Sequence, residues 1–264
     1  MEAADMSEDL DFSQFITRIK RKTDIDLSQY KEAQMKRRLT TLRMKNGFTT
    51  FQAYYEAIEQ NRALLNEFLD RMTINVSEFW RNPARWEVLR DRFLPEMAGA
   101  GSRAKIWSAA CSTGEEPYTL AMILSEMGAL GRTTLVATDL DNNVLDKAKE
   151  GIYLERSLRD VPAALRSRYF KPDEGAYRVS DELKKAVQFR QGNLLHDRFD
   201  SGYDLIVCRN VMIYFTEEAK HDLYHKFSAA LKPGGILFVG STEQIFSPAQ
   251  YGFETADTFF YRRV

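Results

Sequence analysis

Two adjacent glutamates, Glu115 and Glu116, follow a run of small side chains in IWSAACSTGEEPYTL, residues 106–120. Ala109, Ala110, Cys111, Ser112, Thr113 and Gly114 let the backbone approach a ligand closely, and the two carboxylates then set the kind of ligand. A helix N-terminus carries partial positive charge and ordinarily suits a phosphate, but two carboxylates in its first turn remove much of that advantage. A cationic ligand is favoured instead. The G-x-G-x-x-G spacing of a dinucleotide turn is absent, so a nicotinamide-dependent enzyme is the reading these residues support least.

Three more polar residues stand at the ends of later apolar runs: Asp139 in TLVATDL, Asn193 after AVQFRQG and Asn210 after YDLIVCR. An acid at the end of the second strand can take both ribose hydroxyls, the alternative being a cap for the next helix. Asn193 is placed to meet an adenine edge. These features, in this order, point to an adenosine-containing cofactor. S-adenosylmethionine, with its sulfonium and ammonium, suits the acidic turn.

The elements that must position these residues fall into two rhythms. Up to about residue 98 the apolar spacing is helical: Phe12, Phe15, Ile16 and Ile19, then Met35, Leu39 and Leu42, then Leu64, Leu65, Phe68, Leu69 and Met72. This predicts four helices, a loop over about 75–82, and a fifth helix opening at Pro83, where proline suits a first turn. From Lys105 onward, KIWSAAC, TLVATDL, AVQFRQG, YDLIVCR, ILFVGS and FETADTFFYRR are short apolar runs, most of them followed by helical stretches. That alternation predicts an α/β, doubly wound parallel sheet with helices on both faces, with an antiparallel hairpin at the last two runs and a turn at Pro233, Gly234 and Gly235. Residues 151–187 are too long for a simple crossover and predict a small insertion containing a helical piece near 161–168 and strands around a KPDEG turn. The expected division is 1–82, helical domain and linker, and 83–264, catalytic domain with its inserted β-subdomain.

A net charge of −1 gives no general attraction for nucleic acid or anionic membrane. The acidic opening MEAADMSEDLDF does not read as a secretory signal, and no run reaches bilayer length, so a cytoplasmic protein is expected. Cys111 and Cys208 read as buried reduced thiols. His221 and His225, four apart on a predicted helix, have no third ligand nearby and read as a solvated face, so no metal is expected. Local charge is concentrated on the second helix, where Lys31, Lys36, Arg37, Arg38, Arg43 and Lys45 face one acid, Glu32.

TINVSEFWRN (73–82), WSAACSTGEEPYTLAM (107–122), ATDLD (137–141), GNLL (192–195), DLIVCRNVMIYF (204–215) and LKPGGILFVGSTE (231–243) together resemble the chemotaxis receptor methyltransferases, the CheR family. The resemblance covers nearly the whole chain. It implies a Rossmann-like S-adenosylmethionine-dependent methyltransferase that esterifies glutamate side chains on the cytoplasmic helices of bacterial chemoreceptors, with S-adenosylhomocysteine as product. Carried onto this sequence, it assigns Asn75, Ser77 and Arg81 to the cofactor, Glu115 to its methionine end, Asp139 to the ribose, Asn193, Leu194, Arg209 and Asn210 to the adenosine side, and Tyr214 to the neighbourhood of the methyl. Ser77 stands where many family members have threonine. Arg81 and Tyr214 are the candidates for orienting the acceptor carboxylate, the alternatives being a structural ion pair and a core aromatic.

The basic second helix, through Lys36, Arg37, Arg38 and Arg43, then becomes the expected docking face for acidic receptor helices. The short KPDEG connection predicts independence from a receptor C-terminal peptide, which relatives with a longer loop grip. A monomer is expected. CRNVMIYF lacks the Pro-Pro-aromatic signature frequent after the fourth strand of amine methyltransferases. The competing readings are an RNA methyltransferase using the basic helix and a silent cofactor sensor; salt-dependent RNA binding, or cofactor binding without turnover, would distinguish them.

Overall fold

A computed structural model describes residues 2–72, 77–99 and 101–264 of the chain, which forms two compact units. The first comprises Met1–Ile74 and Tyr214–Asp222. Its helices are α1 (Glu2–Thr23), α2 (Glu32–Lys45), α3 (Phe51–Gln60) and α4 (Arg62–Met72), the four that the apolar spacing predicts. Phe15 lies at the centre, with ring centroids 5.1 Å from Phe51, 5.9 Å from Phe68 and 6.3 Å from Tyr55. Capping fixes the helix starts: Thr50 Oγ1 accepts the Ala53 N–H, and the Asp11 carboxylate accepts the Phe51 and Gln52 N–H groups, tying α1 to the first turn of α3. Residues Tyr214–Asp222 join this unit by backbone bonds, Lys31 N–H to the Tyr214 carbonyl and Thr216 N–H to the Gln29 carbonyl, each at 2.9 Å.

On α2 the expected inward stripe of Met35, Leu39 and Leu42 is buried. The basic residues are not equivalent. Arg37 is exposed, Lys36 pairs with Asp9, and Arg38 donates to the Arg71 carbonyl. Arg43, expected on the docking face, is instead 7% exposed, paired with Glu8 at 3.6 Å and Asp11 at 3.8 Å and lying over the Phe51 ring. It stands four residues after Leu39, on the inward face, which places it as an internal tie.

The second unit comprises Asn75–Ile213 and Leu223–Val264. Its strands are β1 (Lys105–Ala109), β2 (Thr134–Asp139), β3 (Ile152–Tyr153), β4 (Phe170–Asp173), β5 (Ala176–Val179), β6 (Val187–Gln191), β7 (Tyr203–Cys208), β8 (Leu231–Val239), β9 (Phe253–Asp257) and β10 (Phe260–Arg263). The main sheet has the order β6-β2-β1-β7-β8-β10-β9, parallel through β8 and antiparallel at β10 and β9. The order reverses outward from β1, and ligands of open α/β sheets bind beyond the carboxyl ends of the strands at such a switch point. The final apolar run supplies both strands of the terminal hairpin by itself. The Pro233-Gly234-Gly235 stretch lies within β8, where the register with β7 shifts, rather than ahead of the strand.

Helices of this unit include α5 (Pro83–Val88), which continues through a π turn (Leu89–Phe93) into α6 (Leu94–Ala98), then α7 (Glu115–Glu126) and α8 (Asn142–Glu150). The insertion forms a separate three-stranded sheet, β3-β5-β4, with the short helices α9 (Ala163–Tyr169) and α10 (Asp181–Ala186) around it. Phe79, from the segment before α5, packs edge-on against Tyr153 at 4.8 Å and Phe170 at 5.1 Å of that insertion. The last helix, α11 (Glu217–Ala230), carries exposed His221 and His225, the latter against the Tyr251 ring. Both cysteines are free and buried.

Candidate active site

The loop after β1 takes its shape from residues small enough to tolerate it. Ala110 and Ser112 both have left-handed backbones, with φ of 58° and 48°. Gly114, at φ 94°, caps α7 where a Cβ would meet the Ala148 Cβ at 2.8 Å and the Tyr153 hydroxyl at 3.1 Å, so only glycine fits. Asp139, ending β2, holds this loop: Oδ2 accepts the Ser112 N–H at 2.8 Å, and Oδ1 accepts the Asp141 N–H at 3.1 Å. Burial pushes its pKa up to about 6, against backbone hydrogen bonds that favour the charge.

The two glutamates diverge. Glu115 is 4% exposed, accepts a hydrogen bond from Thr113 Oγ1 at 2.7 Å, and is also hydrogen-bonded by the Ser77 hydroxyl. Burial raises its pKa. It lines a cleft of about 460 Å³ together with Ser77, Glu78, Arg156 and Arg159. Glu116 turns inward, accepting from Ser108 Oγ at 2.8 Å with Arg209 at 3.8 Å; burial pushes its pKa up to about 7 while Arg209 opposes the shift. One residue of helical advance, a rotation of about 100°, thus gives one carboxylate to the cleft and one to the interior.

Arg209, expected on the adenosine side, has a buried side chain. It is 8% exposed, its guanidinium lies over the adjacent rings of Trp86 and Phe238 at 5.1 and 4.8 Å, and it donates to the Arg81 carbonyl at 2.8 Å and to Asn82 Oδ1 at 2.9 Å. Those partners tie it to the segment that carries Arg81. That segment is strained: Trp80 and Asn82, on either side of Arg81, have φ of 56° and 62°. Trp86 Nε1–H also donates to the Arg81 carbonyl, at 3.0 Å. The Arg81 charge acts on both Glu116 and Arg209. Asn75 lies outside the described residues.

After β7, Asn210 is left-handed at φ 60°. The residue that fixes it, Glu243, was not among the sequence candidates. Glu243 is 5% exposed and accepts four backbone N–H groups, from Asn210 at 2.6 Å, Met212 at 2.7 Å, Gly240 at 2.8 Å and Val211 at 2.9 Å. A Cβ on Gly240 would meet its Oε2 at 2.5 Å. The available signal was an acid just past the end of the fifth parallel strand, in a position comparable with Asp139. Arg156 and Arg159 were also missed, because they lie in the insertion, far along the chain from Glu115.

After β6, the Asn193 side chain accepts the Leu195 N–H at 3.0 Å and the His196 N–H at 3.3 Å. With Leu194, Thr138, Trp107 and Tyr203 it lines a separate recess of about 140 Å³. The second unit therefore brings Ser77 to Glu115, Arg81 close to Arg209, and Asn193 to Leu194. Tyr214 opens the segment counted with the helical unit, where its charge interaction is with Arg38.

The donor set fits the amino-acid end of S-adenosylmethionine. Among the described residues Glu115 has hydroxyl partners and no ion pair, so its desolvated carboxylate would be stabilised by a bound ammonium. Asp139, next to the small-residue loop, retains acceptor capacity suited to hydroxyl donors.

Comparison with known proteins agrees with this arrangement. Residues 75–260 match the family described as CheR methyltransferase, SAM binding domain, and residues 10–73 match its all-alpha domain. The chain is 41% identical over 252 residues to a chemotaxis protein methyltransferase of Listeria innocua, covering 95% of this chain and 96% of that protein. It is 35% identical over 235 residues to the chemotaxis protein methyltransferase of Borreliella burgdorferi, covering 84% and 83% of the two chains. To that of Escherichia coli it is 34% identical over 245 residues, covering 89% and 84%. With a family match spanning nearly all of its α/β unit and most of its helical unit, this chain belongs to the CheR methyltransferase family.

Proposed function

We propose that this methyltransferase esterifies glutamate side chains on the cytoplasmic helices of chemoreceptors, acting as a cytoplasmic monomer. The observation that carries the cofactor half of this reading is the buried Glu115 carboxylate at the start of α7, which among the described residues has hydroxyl and backbone partners and no ion pair. The acceptor half is supported by relatives that share most of the chain and are named chemotaxis protein methyltransferases. S-adenosylmethionine, when bound, supplies a methyl group activated by its sulfonium. Asn75, Ser77, Glu115, Asp139, Asn193, Leu194 and Asn210 hold it, and Arg209 serves indirectly by fixing the Arg81 backbone.

An acceptor glutamate, with an ordinary pKa of about 4.3, is ionised at neutral pH and needs no general base. Alignment and exclusion of water then supply most of the rate. Arg81 and Tyr214 orient the acceptor carboxylate by charge-assisted and phenolic hydrogen bonds. On α2, Arg37 with its neighbours Lys36 and Arg38 attracts acidic receptor helices, and a receptor C-terminal peptide is not required.

The test is transfer of labelled methyl from S-adenosylmethionine to a purified chemoreceptor cytoplasmic fragment, followed by mild alkali. Label released as methanol is expected, the signature of a carboxyl methyl ester. Alkali-stable label, or cofactor binding without transfer to any receptor, would overturn the assignment.

A further inference from the structure

A guanidinium taken out of water needs a counter-charge as well as hydrogen-bond acceptors. Arg209 finds its acceptors at the Arg81 carbonyl and Asn82 Oδ1, and among the described residues one acid pairs with it, Glu116, at 3.8 Å. Glu243 also acts on its charge, but the Glu243 oxygens are taken up by four backbone N–H groups. The Glu116 side chain is 14% exposed, and Ser108 Oγ, from within β1, donates to its carboxylate at 2.8 Å.

A second tie comes from the same face of α7. Thr119 stands three residues after Glu116, so the two side chains are neighbours on the helix. Thr119 is fully buried, and its Oγ1 accepts the Trp80 N–H at 3.3 Å. The helix α7 therefore holds the chain on both sides of Arg81: Thr119 holds Trp80 before it, and Glu116, through Arg209, holds the Arg81 carbonyl and Asn82 after it. Trp80 and Asn82 are the two left-handed residues of this segment, and such backbones persist where surrounding contacts enforce them.

We propose that Glu116 is a positioning residue for methyl transfer: paired with Arg209, it fixes the backbone from which Arg81 reaches the acceptor carboxylate. The adjacent glutamates then divide the reaction, Glu115 serving the cofactor and Glu116 the acceptor. This rests on the orienting role given to Arg81 above. Glutamine at position 116 keeps the shape and an oxygen for Ser108 but removes the charge, so Arg209 loses its counter-ion and its hold on the Arg81 carbonyl relaxes. A misplacement of about 1 Å at an orienting group can cost about a hundredfold in rate, and a partial relaxation costs less.

Methyl transfer to the chemoreceptor fragment is measured at saturating S-adenosylmethionine on the full chain, Arg81→Ala, Glu116→Gln, Arg209→Lys and the double variant Glu116→Gln/Arg209→Lys. Calorimetry with S-adenosylhomocysteine counts the cofactor-competent sites in each. Per competent site, kcat should fall about tenfold in Glu116→Gln and in Arg209→Lys, while affinity for S-adenosylhomocysteine stays within about twofold. The double variant should be no slower than Arg209→Lys alone, because both changes cut one link. A double variant slowed by the product of the two falls, about a hundredfold, would overturn the relay. So would fewer competent sites with kcat per site unchanged, the mark of a merely structural acid, or affinity lost in step with kcat, which would give Glu116 to the cofactor. If Glu116→Gln binds no cofactor, Arg209→Lys, which keeps the charge but loses the planar fork, decides by the same criteria. Undiminished kcat in Arg81→Ala would overturn the orienting role of Arg81 and the relay with it, whereas a slow Arg81→Ala beside a fast Glu116→Gln would overturn the relay alone.

Discussion

The loops after β1 and β7 use the same device with different outcomes. Each contains left-handed residues that are not glycine, Ala110 and Ser112 in one and Asn210 in the other, and each is held by a buried carboxylate at or just past the end of a neighbouring strand. A carboxylate has about four lone-pair sites. Glu243 accepts four N–H groups at 2.6–2.9 Å, which fills it, whereas Asp139 accepts from Ser112 and Asp141 with further support from Leu140. A saturated acid can only hold its loop. An unsaturated one can hold its loop and also meet a ligand.

The comparison is broken most directly at Glu243. Glu243→Ala strands four buried or part-buried donors, at a cost of about 3 kcal/mol or more, so the melting temperature should fall by roughly 6–12 °C. Gly240→Ala should lower it too, because the added Cβ would meet the carboxylate. If Glu243→Ala melts with the unaltered protein, the acid is not what holds the β7 loop.

Asp139 should behave oppositely, affecting ligand more than fold. Asp139→Asn should weaken S-adenosylhomocysteine binding roughly tenfold to a hundredfold, the range for hydrogen bonds to a charged group, while lowering the melting temperature less than Glu243→Ala does, because one amide oxygen still accepts a loop N–H. The same site sets a pH dependence. Hydroxyl donors favour the ionised acid, and its pKa is raised to about 6 by burial, so affinity should rise as pH increases through about 6 and level off above it. For folding alone the sign is reversed: the native state retains a proton that the unfolded chain releases, so this group's contribution to stability declines over that same rise. Calorimetry across pH on the unaltered chain and Asp139→Asn checks both, and a ligand titration near pH 6 that persists in Asp139→Asn would assign it elsewhere.

The smallest effect tests the strain in the two loops. A left-handed alanine costs roughly 1–2 kcal/mol, while asparagine visits that region readily. Ala110→Gly should therefore be neutral to stabilising by up to about 1 kcal/mol, and Asn210→Gly neutral to destabilising, as thermal melts would show.

Much of this arrangement was legible in the chain. The strand runs from Lys105 onward, the four helices and Pro83 at a helix start all follow from local periodicity, because burying one face imposes a repeat of about 3.6 or 2 residues on apolar positions. Glu115 and Asp139 were legible because the ends of β1 and β2 lie close to them in sequence. Glu243 was not, because the N–H groups it holds begin 33 residues before it, at Asn210. Arg43 was misjudged for a related reason: a cation reads as surface until the ring and carboxylates that bury it are known.

The sequence by itself therefore determined the elements, their order and the acidic character of the β1 turn, all properties set by neighbours a few positions apart. Tertiary structure decided which of two adjacent glutamates faces the cleft and which acid is saturated by backbone donors. Those outcomes depend on where distant segments are brought together, and hydrogen-bond saturation and desolvation are properties of that assembled surrounding rather than of residue type.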